Sequence, residues 1–203
     1  MNETFPPVDY ATHGGQVGAP VGYVTAFSPA TSCIHGNWTH VRHKQGGNLH
    51  ASSFDSLVCA CLPCPENPGA PGLVGGLCNP GDRICGPEPR RAPANKICFT
   101  GVAAFALENG RRDAKAAFRV DVEDRSEPGG RPGPAPPDRY RMRIWVLTAD
   151  PDTAENLALR QAISCGASVD EDISAPAPDI DDGGDTPKGN LQLHPAINHK
   201  PCP

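Results

Sequence analysis

Six of the nine cysteines, Cys59, Cys61, Cys64, Cys78, Cys85 and Cys98, fall within forty residues that also hold eight Pro and six Gly. A stretch of that composition has too few apolar side chains to fold by burial, so covalent or metallic cross-links must hold it. Disulfides are the first expectation. Structural zinc is the second, because Cys61 and Cys64 form a C-x2-C pair, although the later cysteines offer no matching pair. An iron–sulfur cluster is a weaker alternative, and c-type haem is excluded because no C-x2-C-H occurs. Cys33, Cys165 and Cys202 stand outside the cluster, so all nine are disulfide candidates, and the odd total leaves one thiol unpaired or shared with another chain. Cys202 is the candidate for such an intermolecular bridge.

Cross-linking also answers a shortage elsewhere. Leu, Ile, Val and Phe number 37 of 203 residues, low enough to suggest disorder if the net charge were large, but it is only −5. With 22 Gly and 24 Pro the chain is expected to be rich in turns and poor in helix. No apolar run approaches the roughly 20 residues of a membrane-spanning helix. The mild acidity gives no electrostatic reason to expect a nucleic-acid partner. The residues after Met1 have neither the basic nor the apolar segment of a signal peptide, so an exported protein would have its signal removed or carried on a longer precursor.

Period-two alternation marks strands over residues 17–27, 38–43, 48–61 and 140–148, with a last short one at 190–194. In the third run, Phe54, Val58 and Ala60 share one parity with His50, while Leu49, Ala51, Leu57 and Cys59 share the other. The strongest local signal is a hairpin over residues 97–123. Asn109-Gly110 tolerates the positive φ angles of a two-residue turn, and centring the hairpin there sets Phe105 opposite Ala114, Ala103 opposite Ala116, and Gly101 opposite Phe118. Beyond it, Phe118, Val120 and Val122 alternate with Arg119, Asp121 and Glu123, predicting one buried face and one wet face. Residues 125–138 and 169–188 read as loops rich in Pro and Gly, the second acidic. One helix is predicted over residues 153–164, capped by Asp152 or Thr153 and stopped near Gly166.

The expected fold is all-β: a single antiparallel β-sandwich over residues 13–194, with one short helix and a Cys-rich, disulfide-stapled insertion over residues 59–98. The helix and acidic loop over 150–188 are a second elaboration. Residues 1–12 form an N-terminal segment and 195–203 a tail.

Few residue patterns point to chemistry. His35, His40, His43 and His50 lie within sixteen residues and are candidate metal ligands, zinc among the metals, but on a strand His40 and His43 would face opposite sides. Scattered surface histidines are the competing reading. Asp179, Asp181, Asp182 and Asp185 offer closely spaced carboxylates for calcium, without the Glu that closes an EF-hand loop, against the competing reading of a solvated acidic loop. Asp121, Asp124, Glu127 and Asp138 form a second acidic set. The string from His50 through Ser52 to Asp55 contains the residue types of a hydrolase triad, but alternate strand positions point Asp55 away from the others. No G-x-S-x-G, H-E-x-x-H, P-loop or dinucleotide-binding motif occurs, so no catalytic residue is assigned. Asn37-Trp-Thr39 and Asn2-Glu-Thr4 are glycosylation sequons.

Several separated segments, taken in order, resemble a poorly characterised all-β domain of bacterial extracellular and adhesin-like proteins, often C-terminal in them. They are Gly14-Gly-Gln-Val17 with residues 21–27, Gly47-Asn-Leu-His50, Cys98-Phe-Thr-Gly101, the run from Phe118 to Asp124 leading into Glu127-Pro-Gly129, Asp138-Arg-Tyr140, and Gly189-Asn-Leu-Gln-Leu-His194. The resemblance spans roughly residues 13–194 and departs at the Cys-rich stretch. It implies an exported module, secreted or at the cell surface, that is structural or adhesive with no established activity and no catalytic residues to carry over, while the acidic run from Asp179 to Asp185 adds calcium as a candidate stabilising ion. The expected partners are a surface ligand or neighbouring subunits, including further copies of the chain. The alternatives are a secreted hydrolase with a loop-borne active site and a subunit of an extracellular filament or particle.

Overall fold

The computed structural model describes residues 19–26, 34–42, 47–61, 94–106, 114–125, 137–148, 150–165 and 173–186. Seven strands in these segments form one antiparallel sheet in which each pairs with its neighbours in sequence: β1 (Ala19–Ala26), β2 (Ile34–Val41), β3 (Leu49–Ala60), β4 (Lys96–Phe105), β5 (Ala114–Glu123), β6 (Asp138–Leu147) and β7 (Ile180–Thr186). One helix occurs among the described residues, α1 (Ala154–Ala162), between β6 and β7. The expected sandwich needs a second sheet, and none is present among the described residues. The sheet instead curls until β2 meets β6 and β7 through side chains, so one sheet encloses its own core.

The expected hairpin register is the observed one. Phe105 pairs with Ala114, Ala103 with Ala116, and Gly101 with Phe118. The turn at Asn109-Gly110 lies outside the described residues, as does the expected strand at 190–194.

The inner face gathers Trp38, Leu49, Leu57, Phe99, Phe105, Phe118, Val120, Tyr140, Met142 and Ile144 into the main core. Simple alternation along β3 puts Phe54 on the other face. Two register shifts, between Ala51 and Ser53 and between Phe54 and Ser56, return it to the inner one. There Phe54 packs edge-on against Phe99 and Phe118, with ring centroids 6.0 and 6.1 Å apart. The partner at the bulge is Gly101, where a Cβ would strike the Ser53 carbonyl oxygen, so only glycine lets the irregular strand come this close.

The outer face of β5 is not wet, contrary to the alternation: Arg119 and Asp121 are both 1% exposed. Helix α1 and the segment after it cover this side. Ile163 packs on Ala117, Trp145 and Leu147, and the Trp145 indole donates to the Pro176 carbonyl at 2.8 Å. The helix starts where expected, because the Thr153 side chain accepts from Asn156 N, with Glu155 in the first turn and Arg160 in the last. A disulfide joins Cys98 of β4 to Cys165 just beyond the helix, pinning helix to sheet.

A second difference is β7. The region read as an acidic loop contains a seven-residue strand along β6, with Asp182 opposite Met142 and Asp185 opposite Arg139. Few β-formers occur in Ile-Asp-Asp-Gly-Gly-Asp-Thr. The strand is held by arginines on β6: Arg141 reaches Asp181 at 2.6 Å and Arg139 reaches Asp185 at 3.5 Å. Cross-strand charge pairs supply what β propensity lacks.

Candidate functional site

Two buried polar clusters result, one on each face of the sheet. The inner one is built from β2, β6 and β7. His40 is 0% exposed; its Nε2 lies 3.0 Å from Oδ2 of Asp182 and its Nδ1 3.0 Å from the Tyr140 hydroxyl. A carboxylate only accepts, so Nε2 donates to Asp182, and in the neutral imidazole Nδ1 accepts from Tyr140. Arg42 Nε donates to the same Asp182 oxygen at 2.7 Å. Burial works against the Asp182 charge, but hydrogen bonds from His40 and Arg42, with the positive charge of Arg42, outweigh it and hold the carboxyl below its ordinary 3.8. Burial drives the Tyr140 hydroxyl far above the usual phenol range. The Trp38 indole lies beside that hydroxyl and favours its ionised form, yet its Nε1–H makes no hydrogen bond of acceptable geometry.

The outer cluster centres on Asp121. Arg119 donates to it through Nε at 3.0 Å and Nη2 at 3.1 Å, and Arg143 Nη2 donates at 2.9 Å. Arg119 Nη1 also donates to the carbonyls of Ile163 and Ser164 at 3.2 and 3.3 Å, placing a cation at the negative end of α1. Burial again opposes the Asp121 charge, and the two arginines with Lys96 overcome it, so its carboxyl is also held below 3.8. Next to it Ser56 Oγ and Thr100 Oγ1 are 2.6 Å apart, and Cys165 N donates to Ser56 Oγ.

The expected site residues separate. His40 is buried rather than at the surface, and His50 Nδ1 meets Thr39 Oγ1 at 3.1 Å. His35 falls on β2, while His43 lies outside the described residues. Asp179 accepts from Val146 N, Asp181 pairs with Arg141, Asp182 holds His40 and Arg42, and Asp185 faces Arg125 and Arg139. Among the described residues no group of three or more His, Cys, Asp or Glu side chains could hold a metal ion. Of the triad string, Asp55 pairs with Arg160 at 2.7 Å, away from His50. Asp138 accepts from Arg125 N, and Glu127 lies outside the described residues. Cys59 and Cys61 are disulfide-bonded in addition to Cys98 and Cys165. Cys33, Cys64, Cys78, Cys85 and Cys202 lie outside the described residues.

Sequence reasoning named His40 and Asp182 but in separate sets, and it singled out neither Arg42 nor Tyr140 as a functional group. Nothing local joins them, since 142 positions separate His40 from Asp182.

A curled antiparallel meander, with a disulfide to its covering helix and two internally paired polar clusters, is the class of protein this geometry defines. No protein-family model matches the chain, and no curated protein or solved structure matches it either. No helix among the described residues is long and apolar enough to cross a membrane.

Proposed function

We propose that the chain is a non-enzymatic extracellular module, structural or adhesive, in which the curled sheet is a scaffold and the Cys-rich stretch a cross-linked excursion from it. The Cys98–Cys165 disulfide carries the reading, because such bonds persist in oxidising surroundings and are rare in reducing ones. The ends of the excursion support it. Ala60 and Lys96 are partners across β3 and β4, and Asn95 N donates to the Ala60 carbonyl, so the chain leaves and re-enters the sheet at one place. Disulfide-bonded Cys59 and Cys61 stand at the exit and Cys98 at the return.

The inner cluster favours this reading over the hydrolase alternative. A general base needs a ring nitrogen open to substrate, and both nitrogens of buried His40 are engaged within the fold. Asp121 likewise serves three donors from two arginines.

The test is the thiol state of the protein taken from its natural source under rapid alkylation. Peptide mapping is expected to recover residues 98 and 165 as one linked pair. Both recovered as alkylated thiols would overturn the extracellular reading.

A further inference from the structure

The glycosylation sequon Asn37-Trp38-Thr39 lies within β2, and strand alternation sorts its three side chains. Trp38 points into the core, 6% exposed, where its indole meets the Phe99 ring edge-on at 4.9 Å. Asn37 and Thr39 take the opposite face, and Asn37 is exposed there. The Thr39 hydroxyl is half-buried, 3.1 Å from His50 Nδ1. A register shifted by one residue would bury the asparagine and expose the indole instead. Backbone pairing between β2 and β3 is confined to Thr39–His50 and His40–Leu49. Among the described residues Asn37 therefore has a paired neighbour only in β1, where Tyr23 is opposite. The surrounding sequence lacks charge, since residues 10–41 contain no Asp, Glu, Lys or Arg.

We propose that Asn37 is an N-glycosylation site, its glycan standing on the outer face of β2. The proposal rests on the extracellular reading, because such acceptors belong to secreted chains. The co-reactant is an oligosaccharide carried on a polyprenyl diphosphate. Asn37 Nδ2 attacks the anomeric carbon of the first sugar and a C–N bond forms. The C–O bond to the diphosphate breaks, the diphosphate leaves with its electron pair, and the amide gives up one proton. Nothing is oxidised or reduced. Thr39 supplies the hydroxyl that the sequon requires, two positions on and on the same face. The fold then holds the modified amide in water while the residue beside it packs in the core, so the sugar displaces no buried side chain. A glycan is bulky and solubilising, and here it covers a stretch that has no charged side chains to keep it soluble.

Glycopeptide mapping of the whole protein from its natural source tests this, with fragmentation that leaves sugar bonds intact. The peptide carrying residue 37 is expected to hold an oligosaccharide mass on that asparagine. Thr39→Ser keeps the hydroxyl and should keep the sugar, whereas Thr39→Val keeps the shape without the hydroxyl and should lose it. Thr39→Val also loses the contact with His50, so the linkage between residues 98 and 165 is mapped in each protein as a check on folding. Unmodified Asn37 in wild-type protein whose residues 98 and 165 are linked would overturn the site and leave the extracellular reading standing. Free thiols at both positions would overturn that reading and the site with it. Sugar retained on Asn37 in Thr39→Val would overturn the sequon as its cause.

Discussion

The Asp182 carboxylate of β7 accepts from His40 Nε2 at 3.0 Å and joins β7 to β2 across a curled sheet that no backbone ladder closes among the described residues. Its folded pKa lies below 3.8, and so does that of Asp121 on the opposite face. A carboxyl with a depressed folded pKa contributes stability that is complete above its unfolded value and disappears as pH falls through the folded one. The melting temperature should therefore hold from neutral pH to roughly pH 5 and decline below it. Asp182→Asn should flatten that decline, and a variant with the wild-type acid profile would remove Asp182 from the cause.

Asp121→Ala leaves Arg119 and Arg143 buried without their shared counter-charge. Breaking one side of such a buried pair costs about 3–5 kcal/mol. Removing the more exposed Arg141–Asp181 pair should cost no more than about 1 kcal/mol. Urea unfolding of both variants checks the contrast, and equal costs would refute the difference in burial as its origin.

Cys98 and Cys165 are 67 positions apart, and their bond restricts a long loop of the unfolded chain. On the chain-entropy scale this amounts to about 4 kcal/mol. The Cys98→Ala, Cys165→Ala double variant should lose roughly 2–4 kcal/mol and expose the helix side first. Proteolysis near residues 154–165 reports that exposure, and cleavage spread evenly along the chain would contradict it.

Gly101→Ala places a methyl group against the Ser53 carbonyl at the bulge. The backbone must move to admit it, so the loss should exceed the ~1 kcal/mol typical of point changes. Gly101→Ala with no shift in its denaturation midpoint would mean that the bulge yields easily.

Calcium stabilisation predicts a lower melting temperature in a chelator. The four carboxylates from Asp179 to Asp185 already engage arginines, a histidine and a backbone N–H. The expected result is no change in EDTA, and a fall of several degrees reversed by calcium would restore the ion to this strand.

Local chemistry made some elements legible in advance. Centring the hairpin on Asn109-Gly110 anticipated the β4–β5 register, and Thr153 with Glu155 announced the helix start through its unpaired N–H groups. Each is a short-range signal. The acidic strand could not be read that way, because Ile180–Thr186 has few β-formers and owes its pairing to arginines some forty residues earlier. Phe54 was misplaced by alternation because the bulges that turn it inward depend on Gly101 in the partner strand.

By itself the sequence determined an antiparallel β chain with one capped helix and a need for cross-links, since alternation, turn residues and cysteine density act over a few positions. Tertiary structure alone decided that one sheet would curl instead of two stacking, that Arg119 and Asp121 would be buried beneath a helix, and that His40 would meet Asp182. Those outcomes depend on which faces come together, and a buried charge is tolerated only where distant residues supply its partners.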